Sequence, residues 1–311
     1  MFRPAFIAVL ALTAAPFGLA QVVTPDATVK PPAKAQPFYI RIPGMFGFDL
    51  PNIDPPGTVK LIFNPHVSDL IRHDYIRVDG GFRWAVNDHF EFSPEARAYL
   101  THGLGDTTDD GYGIGEVRLG AKYVLRKWPV ASTETSFTLS AYVPISGAPI
   151  DMTDGLNHLA PGFLVQHHLV RHPKWTIFSG AGFDLVDPSE VPGTPVENQP
   201  LDDSMNFTAG TIYDLGQIKW TLTTTYATTD WIGHDTHNFF YLQPNVLWYV
   251  PKKWMLHSKT QWILSLGARV SWGPDGTQVS ASNRVRAEIT FRQVMEKMRF
   301  LGPDDSTPDA H

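Results

Sequence analysis

The sequence predicts an all-β chain folded as a transmembrane antiparallel up-and-down β-barrel of about 12 strands. Three observations carry this expectation. Apolar and polar residues alternate with a period of two through successive segments, the connections between segments alternate between short and long, and the chain opens on an export signal. The alternation is clearest from Tyr75 to Leu100. Ile76, Val78, Phe82, Trp84 and Val86 share one parity, and Tyr75, Arg77, Asp79 and Arg83 share the other. Beyond a hinge at Asn87-Asp88-His89, Phe90, Phe92, Ala96, Ala98 and Leu100 stand against His89, Glu91, Glu95, Arg97 and Thr101. Charge on every second residue is too much for a sandwich core. It fits a sheet whose outer face meets lipid and whose inner face meets a water-filled or charge-laced lumen.

Taken in order, residues 1–20 read as a secretory signal peptide: Arg3 supplies the positive end, Ala5 to Ala15 the apolar run, and Gly18-Leu19-Ala20 the small residues before a cut at Gln21. No later window is apolar for long enough to cross a membrane as a helix. Residues 21–57 are rich in Pro and belong to no ladder, so they form a periplasmic linker or a plug. Apolar side chains in water gain nothing, and Phe38 to Leu50 is therefore expected to pack against the periplasmic mouth or enter the lumen. The barrel occupies 58–300. Its strands are predicted near 58–66, 74–86, 89–102, 113–126, 133–146, 157–171, 174–187, 203–214, 217–230, 237–250, 258–272 and 281–293. Residues 301–311 read as a disordered tail.

The connections support the count. Asn87-Asp88, Lys127 to Ser132, His172-Pro173, Leu215-Gly216 and Pro251 to Lys253 are short, whereas His102 to Tyr112, Gly147 to Leu156 and Pro188 to Asp202 are long and rich in Asp, Gly and Pro. Short turns on one rim and long loops on the other are the rule for outer-membrane barrels, and an even strand number puts both barrel ends on the short-turn, periplasmic side. Tryptophan is placed accordingly. Trp84, Trp128, Trp175, Trp220, Trp248 and Trp254 lie near the short connections, Trp231 and Trp272 near the other rim, and Trp262 in a strand centre. Two aromatic girdles at the headgroup level account for the first two groups.

Composition excludes several classes. The 311 residues contain no cysteine, so no disulfide framework holds an exported fold together. The net charge is −6 and the pI about 6.0, which gives no basic footprint for nucleic acid. The mean hydropathy of −0.15 suits a barrel as well as a soluble protein, because lumen, turns and loops dilute the lipid-facing residues. The expected partners are outer-membrane lipid and lipopolysaccharide and a small-molecule solute, with the oligomeric state left open. No cofactor or metal is expected.

A family resemblance enters through residues 113–125. The run Gly113-Ile114-Gly115-Glu116-Val117-Arg118-Leu119-Gly120-Ala121-Lys122-Tyr123-Val124-Leu125 resembles the "GxGDxxLGAKYxL" strand of the outer-membrane barrels of the meta-pathway of phenol degradation. "AVNDHFEFSPEARAYL" at 85–100, "YVPISGAP" at 142–149 and the hairpin from His158 to Leu185 are similar to flanking pieces of that family, so the resemblance covers residues 75–186. Glu116 stands where the family has Asp, and the chain does not finish on a terminal aromatic assembly signal, which leaves Phe291 or Phe300 to serve, or a different recognition route. The resemblance implies a Gram-negative outer-membrane transporter of small compounds, aromatic ones among them.

Parity predicts the lumen. Arg77, Asp79, Arg83, Glu91, Glu95, Arg97, Glu116, Arg118, Lys122, Arg126, Lys219, Arg269, Arg284, Arg286, Glu288 and Arg292 point inward. Pairing Trp84 with Phe92 outside sets Asp79 opposite Arg97 and Arg77 opposite Tyr99 inside. Two readings stay open: the ion pairs satisfy one another and close the barrel, or they form a charged constriction that filters solutes, built from Arg77, Asp79, Arg83, Glu95, Arg97, Glu116, Arg118 and Lys122. Leu164, Val170, Phe178, Val186, Phe239, Tyr241, Leu247 and Tyr249 break the pattern, being apolar on the inward parity. Either the lumen holds an apolar ligand patch that includes Phe178, Phe239 and Tyr241, or a bulge turns these residues to lipid.

Catalytic signals are sparse. His66-Val67-Ser68 resembles the HxS arrangement of outer-membrane phospholipase, so a barrel lipid hydrolase with Ser68 as nucleophile and His66 as base is the enzymatic alternative. His167, His168 and His172 lie on strand and turn rather than on the helix a metal pair at that spacing needs, and His234-Asp235-Thr236-His237 reads as a solvated loop. Asp106, Asp109 and Asp110 lack calcium-loop spacing, and Gly111, Gly113 and Gly115 open a strand, not a nucleotide-binding helix. The favoured expectation is a channel or facilitator for a small organic solute, aromatic or hydrophobic. A structural barrel with a closed lumen stands beside the hydrolase as an alternative.

Overall fold

In the computed structural model, residues 50–67, 69, 75–101, 111–125, 132–145, 155–187, 203–232, 237–254, 260–274 and 276–300 are described. The expected signal peptide, the Pro-rich segment up to residue 49, the tail from 301, and Ser68, Arg126 and Trp128 lie outside them, as do Asp106, Asp109, Asp110 and His234.

Twelve antiparallel strands close into a barrel. They are β1 (Val59–Pro65), β2 (Tyr75–Ala85), β3 (Phe90–Thr101), β4 (Tyr112–Leu125), β5 (Thr133–Pro144), β6 (Asn157–His168), β7 (Trp175–Asp187), β8 (Ser204–Asp214), β9 (Ile218–Thr228), β10 (Asn238–Tyr249), β11 (Gln261–Gly273) and β12 (Gly276–Thr290). Each strand pairs with its neighbours in sequence, and β1 meets β12 through Lys60 to Phe63 against Thr290 to Ala287. Closure leaves no edge strand with open backbone groups, the condition for a sheet in hydrocarbon. Among the described residues no helix is long and apolar enough to cross a membrane.

The two faces are inverted relative to a water-soluble sheet. Phe63, Phe82, Trp84, Leu119, Phe137, Leu139, Phe163, Leu222 and Leu266 are exposed on the outside, while Asp79, Arg83, Glu91, Arg118, Lys122, Lys219 and Glu288 are buried inside. Aromatic rows mark the rims. Trp175 lies opposite Tyr213, and Tyr213 opposite Trp220, with the first two rings 4.8 Å apart; Trp248 meets Trp254 at 5.5 Å. On the other rim Phe240 meets Trp272 at 5.4 Å and Phe207 meets Trp231 at 5.8 Å. Trp262 is not central, as the sequence suggested: it is the second residue of β11, opposite Ala287, and joins the short-turn rim.

The end of the barrel differs from the sequence-based expectation. Gly273 pairs with Gly276, so β11 and β12 are joined by a tight turn on the rim of the long loops, with Gly276 at φ +99° where a side chain would be strained. β12 therefore starts at 276 rather than 281 and ends at Thr290. A helix, α1 (Phe291–Phe300), follows. Thr290 and Gln293 form half of a capping box, in which the Gln293 side chain accepts from the Thr290 N–H at 3.3 Å. Arg292 accordingly lies exposed on this helix and not in the lumen, and Phe291 and Phe300 belong to the helix rather than to a closing strand.

The register matches the expected hairpin, with Trp84 opposite Phe92, Asp79 opposite Arg97 and Arg77 opposite Tyr99. The shift in register falls between Arg97 and Ala98, whose partners are Glu116 and Ile114, so Gly115 is the extra residue of a bulge. β6, β7 and β10 pair without a shift. The apolar residues on their inward parity therefore face the lumen, except Val170, which sits exposed in the turn after β6.

Candidate functional site in the lumen

Antiparallel register builds one wall of the lumen from ion pairs. Three rows of facing residues cross the wall: Asp79, Arg97 and Glu116 over β2 to β4; then Gly81, Glu95, Arg118 and Tyr142, and Ala85, Glu91, Lys122 and Thr138, over β2 to β5. Each row sets a cation beside a carboxylate. Arg97 lies 3.1 Å from Asp79 and 3.4 Å from Glu116, Arg118 2.9 Å from Glu95, and Lys122 2.9 Å from Glu91. Arg118 also donates to the Ser140 hydroxyl at 2.9 and 3.2 Å. Its guanidinium lies along the wall because Gly120 has no side chain there: a Cβ would stand 3.0 Å from Nη2 of Arg118.

At the short-turn end a second cluster forms from residues far apart in sequence. Arg83 lies 3.6 Å from Asp54 and 3.7 Å from Glu288, Lys60 lies 2.6 Å from Asp54, and Arg286 lies 2.9 Å from Glu288. Asp54 comes from the segment before β1. That segment runs inside the barrel: Leu50 is buried among Leu164, Phe178 and Ile212, with Leu247 and Tyr249 packed against them. Lys122 donates to the carbonyl of Asn52 at 2.8 Å, and Gln166 donates to the Asn52 side chain at 3.1 Å and to Glu134 at 2.8 Å. Of the stretch Phe38 to Leu50 only Leu50 is described, and it occupies the lumen.

At the long-loop end Arg77 grips Asp69 with two hydrogen bonds of 2.8 Å, and its own N–H adds a third at 3.0 Å. Burial alone would raise the Asp69 carboxyl, but the Arg77 hydrogen bonds and charge outweigh it and hold the group below its ordinary value. The sign follows from the lowered folded-state value: the contribution is complete above the unfolded carboxylate range near ~4 and is lost as pH falls through the folded value. Asp69→Asn is expected to remove this part of the acid destabilisation below about pH 4. Denaturant titrations of both proteins across that range read it out, and parallel curves would refute the assignment.

Above the Lys219–Asp214 pair at its short-turn end, the opposite wall is neutral. Thr221, Thr223 and Thr225 of β9 alternate with outward residues, and with Asn206, Thr208 and Gln243 they form a buried surface of hydroxyls and amides. Sequence reasoning looked for charge on the inward parity and passed over these threonines, although their spacing of two was visible. It also missed Asp54, which lies outside any periodic segment. His158 and Asp184, buried and 3.0 Å apart, complete the interior pairs of β6 and β7.

Of the expected apolar patch, Phe178 is covered by Leu50, and its ring lies over Gly210, whose missing side chain leaves the space. Phe239 and Tyr241 stand apart from that cluster, with parallel rings 6.2 Å between centroids, and the Arg269 guanidinium lies 4.2 Å over Tyr241. His66 donates its Nε2–H to the Asp79 carboxylate at 2.8 Å, inside the lumen, rather than facing lipid as a lipid-hydrolysing base would. His167 and His168, adjacent on β6, point to opposite faces and bond Thr133 and Thr176. Among the described residues no group of three potential ligands is placed to hold a metal ion.

No protein-family model matches the sequence, and no curated protein matches it. Solved structures do resemble the fold. An outer-membrane channel from Pseudomonas putida F1 superposes with a TM-score of 0.50 at 13% identity, covering 77% of this chain and 97% of that one. The monoaromatic hydrocarbon channel CymD gives 0.41 at 10% identity, covering 76% and 89%, and the KdgM porin 0.39 at 11%, covering 75% and 97%. The first likeness carries the fold, a closed barrel of the outer-membrane type. The phenol meta-pathway resemblance of residues 75–186 is not supported by a matching family model.

Proposed function

We propose that the protein is a channel or facilitator in the outer membrane of a Gram-negative bacterium, exported by residues 1–20 and passing a small organic solute of aromatic or hydrophobic character. The observation that carries this is the pair of unlike walls in one lumen. Ion pairs line β2 to β4, and a neutral surface of hydroxyls and amides on β8 to β10, above the Lys219–Asp214 pair, leads to Phe239 and Tyr241. A barrel that served only as a scaffold needs no such division, whereas a solute with a polar and an apolar side is oriented by it. The phenol meta-pathway resemblance points to the same solute class. Residues 50–54 narrow the passage at the short-turn end, so an open, water-filled pore is not the expectation.

The test uses the full mature chain in planar bilayers and in liposomes. Small discrete conductance steps and uptake of phenol-sized solutes are expected, and Arg118→Ala is expected to alter ion selectivity because Glu95 then faces the lumen without its 2.9 Å partner. A barrel that shows neither steps nor uptake, in the native form or in Arg118→Ala, is a closed structural barrel, and the proposal fails.

A further inference from the structure

Most interior cations among the described residues have a carboxylate beside them. Lys60, Arg77, Arg83, Arg97, Arg118, Lys122, Lys219 and Arg286 each pair with an Asp or Glu. Among the described residues Arg269 of β11 has no carboxylate partner and lies instead over the ring of Tyr241. Register explains the arrangement. Tyr241 pairs with Ser271 and Phe239 is two residues towards the long-loop rim, so Arg269 lies on the side of Tyr241 away from Phe239. The ring of Phe239 reaches across Gly273, where a Cβ would stand 2.7 Å from it, and lies within 6° of parallel to Tyr241. Phe239, Tyr241 and Arg269 thus follow one another along the lumen wall. Thr225, opposite Tyr241 on β9, and Ser280, opposite Arg269 on β12, add hydroxyls beside them.

A guanidinium carries five N–H donors in a fork that fits a carboxylate, and the contact of Arg269 with Tyr241, a hydrogen bond included, leaves donors over. An unmatched cation in a confined lumen is costly, and an anion that supplies the missing charge is bound with that cost relieved. The aromatic pair selects a flat apolar body. We propose that Phe239, Tyr241 and Arg269 form a binding subsite for a planar aromatic carboxylate, with the carboxylate on the Arg269 edge and the ring against the aromatic pair. This rests on the channel reading for its biological use, since a site in the passage fixes which solute enters it.

The experiment measures equilibrium binding of benzoate to the full mature chain in detergent micelles, beside benzyl alcohol and acetate, and runs bilayer conductance separately. Benzoate is expected to bind more tightly than either. Arg269→Gln is expected to weaken benzoate about tenfold or more while leaving benzyl alcohol unchanged, since a hydrogen bond to a charged group is what it removes. Arg269→Lys is expected to restore part of the loss, and Tyr241→Leu to weaken both aromatic probes. Slower migration of boiled than of unboiled protein verifies that each variant is folded. Benzoate binding that is unaffected by Arg269→Gln, or no tighter than acetate, overturns the subsite. Arg269-dependent binding in a protein that never conducts supports the subsite and rejects the channel, so the two failures are separable.

Discussion

Lys122→Ala is expected to destabilise the barrel by about 3–5 kcal/mol, the cost of stranding a buried charge whose partner has been removed. Glu91 and Lys122 are 1% and 3% exposed, and neither finds water when the other is lost. Lys122 also holds the carbonyl of Asn52 at 2.8 Å, so the same substitution is expected to loosen residues 50–54 and enlarge the conductance step. Urea titration in phospholipid vesicles, with single-channel recording, measures both. Pairing Lys122→Met with Glu91→Gln removes both charges and is expected to recover most of the stability. The effect is specific to depth: Arg97 is about one-third exposed, and its pairs with Asp79 and Glu116 are worth about 0–1 kcal/mol at most. Native-like stability of Lys122→Ala would show that the Glu91 carboxylate is hydrated in the lumen and that the buried-pair account is wrong.

Much of this architecture was legible because the side-chain period of a strand is two and a lipid face tolerates no charge. The hairpin of β2 and β3 could be registered residue by residue, since placing Trp84 and Phe92 on the outside fixes every pair inside. What was not legible has two physical sources. Contacts between distant segments leave no local period: nothing in Asn52-Ile53-Asp54 announces that Asp54 will meet Lys60 and Arg83, or that Leu50 will fill a cup made by β6, β7 and β8. Periodicity also fails where two structures share residues. The change from strand to helix at Thr290 is marked by Thr290 and Gln293 and by the apolar positions Phe291, Val294 and Met295, yet Arg284, Arg286, Glu288 and Arg292 keep the parity of a strand through it. The apolar residues on the inward parity of β6, β7 and β10 could be read two ways, and only the unshifted register of those strands decides that they line the lumen.

Leu139→Arg tests the lipid face itself, and a cost of about 2–4 kcal/mol is expected for it in a bilayer. Leu139 lies at the centre of β5, exposed, between Ala121 and Pro161, while its neighbours Thr138 and Ser140 turn to the lumen side. Val143, on the same outward face, is four residues further along the strand, about 10 Å nearer the long-loop rim at the tilt of a membrane barrel. There an arginine reaches the headgroups, and Val143→Arg is expected to cost only about 0–1 kcal/mol. The difference between the two positions carries the argument, because both side chains are already fully outside and no packing term separates them. In water both substitutions would be nearly neutral, as exposed changes on soluble proteins are within about 0.5 kcal/mol. Refolding titrations of the two variants into phospholipid vesicles measure the pair. Equal and small costs would place the outer face of β5 in water, and a sheet with these ion pairs inside and water outside would have no reason to expose Phe137, Leu139 and Val143 together.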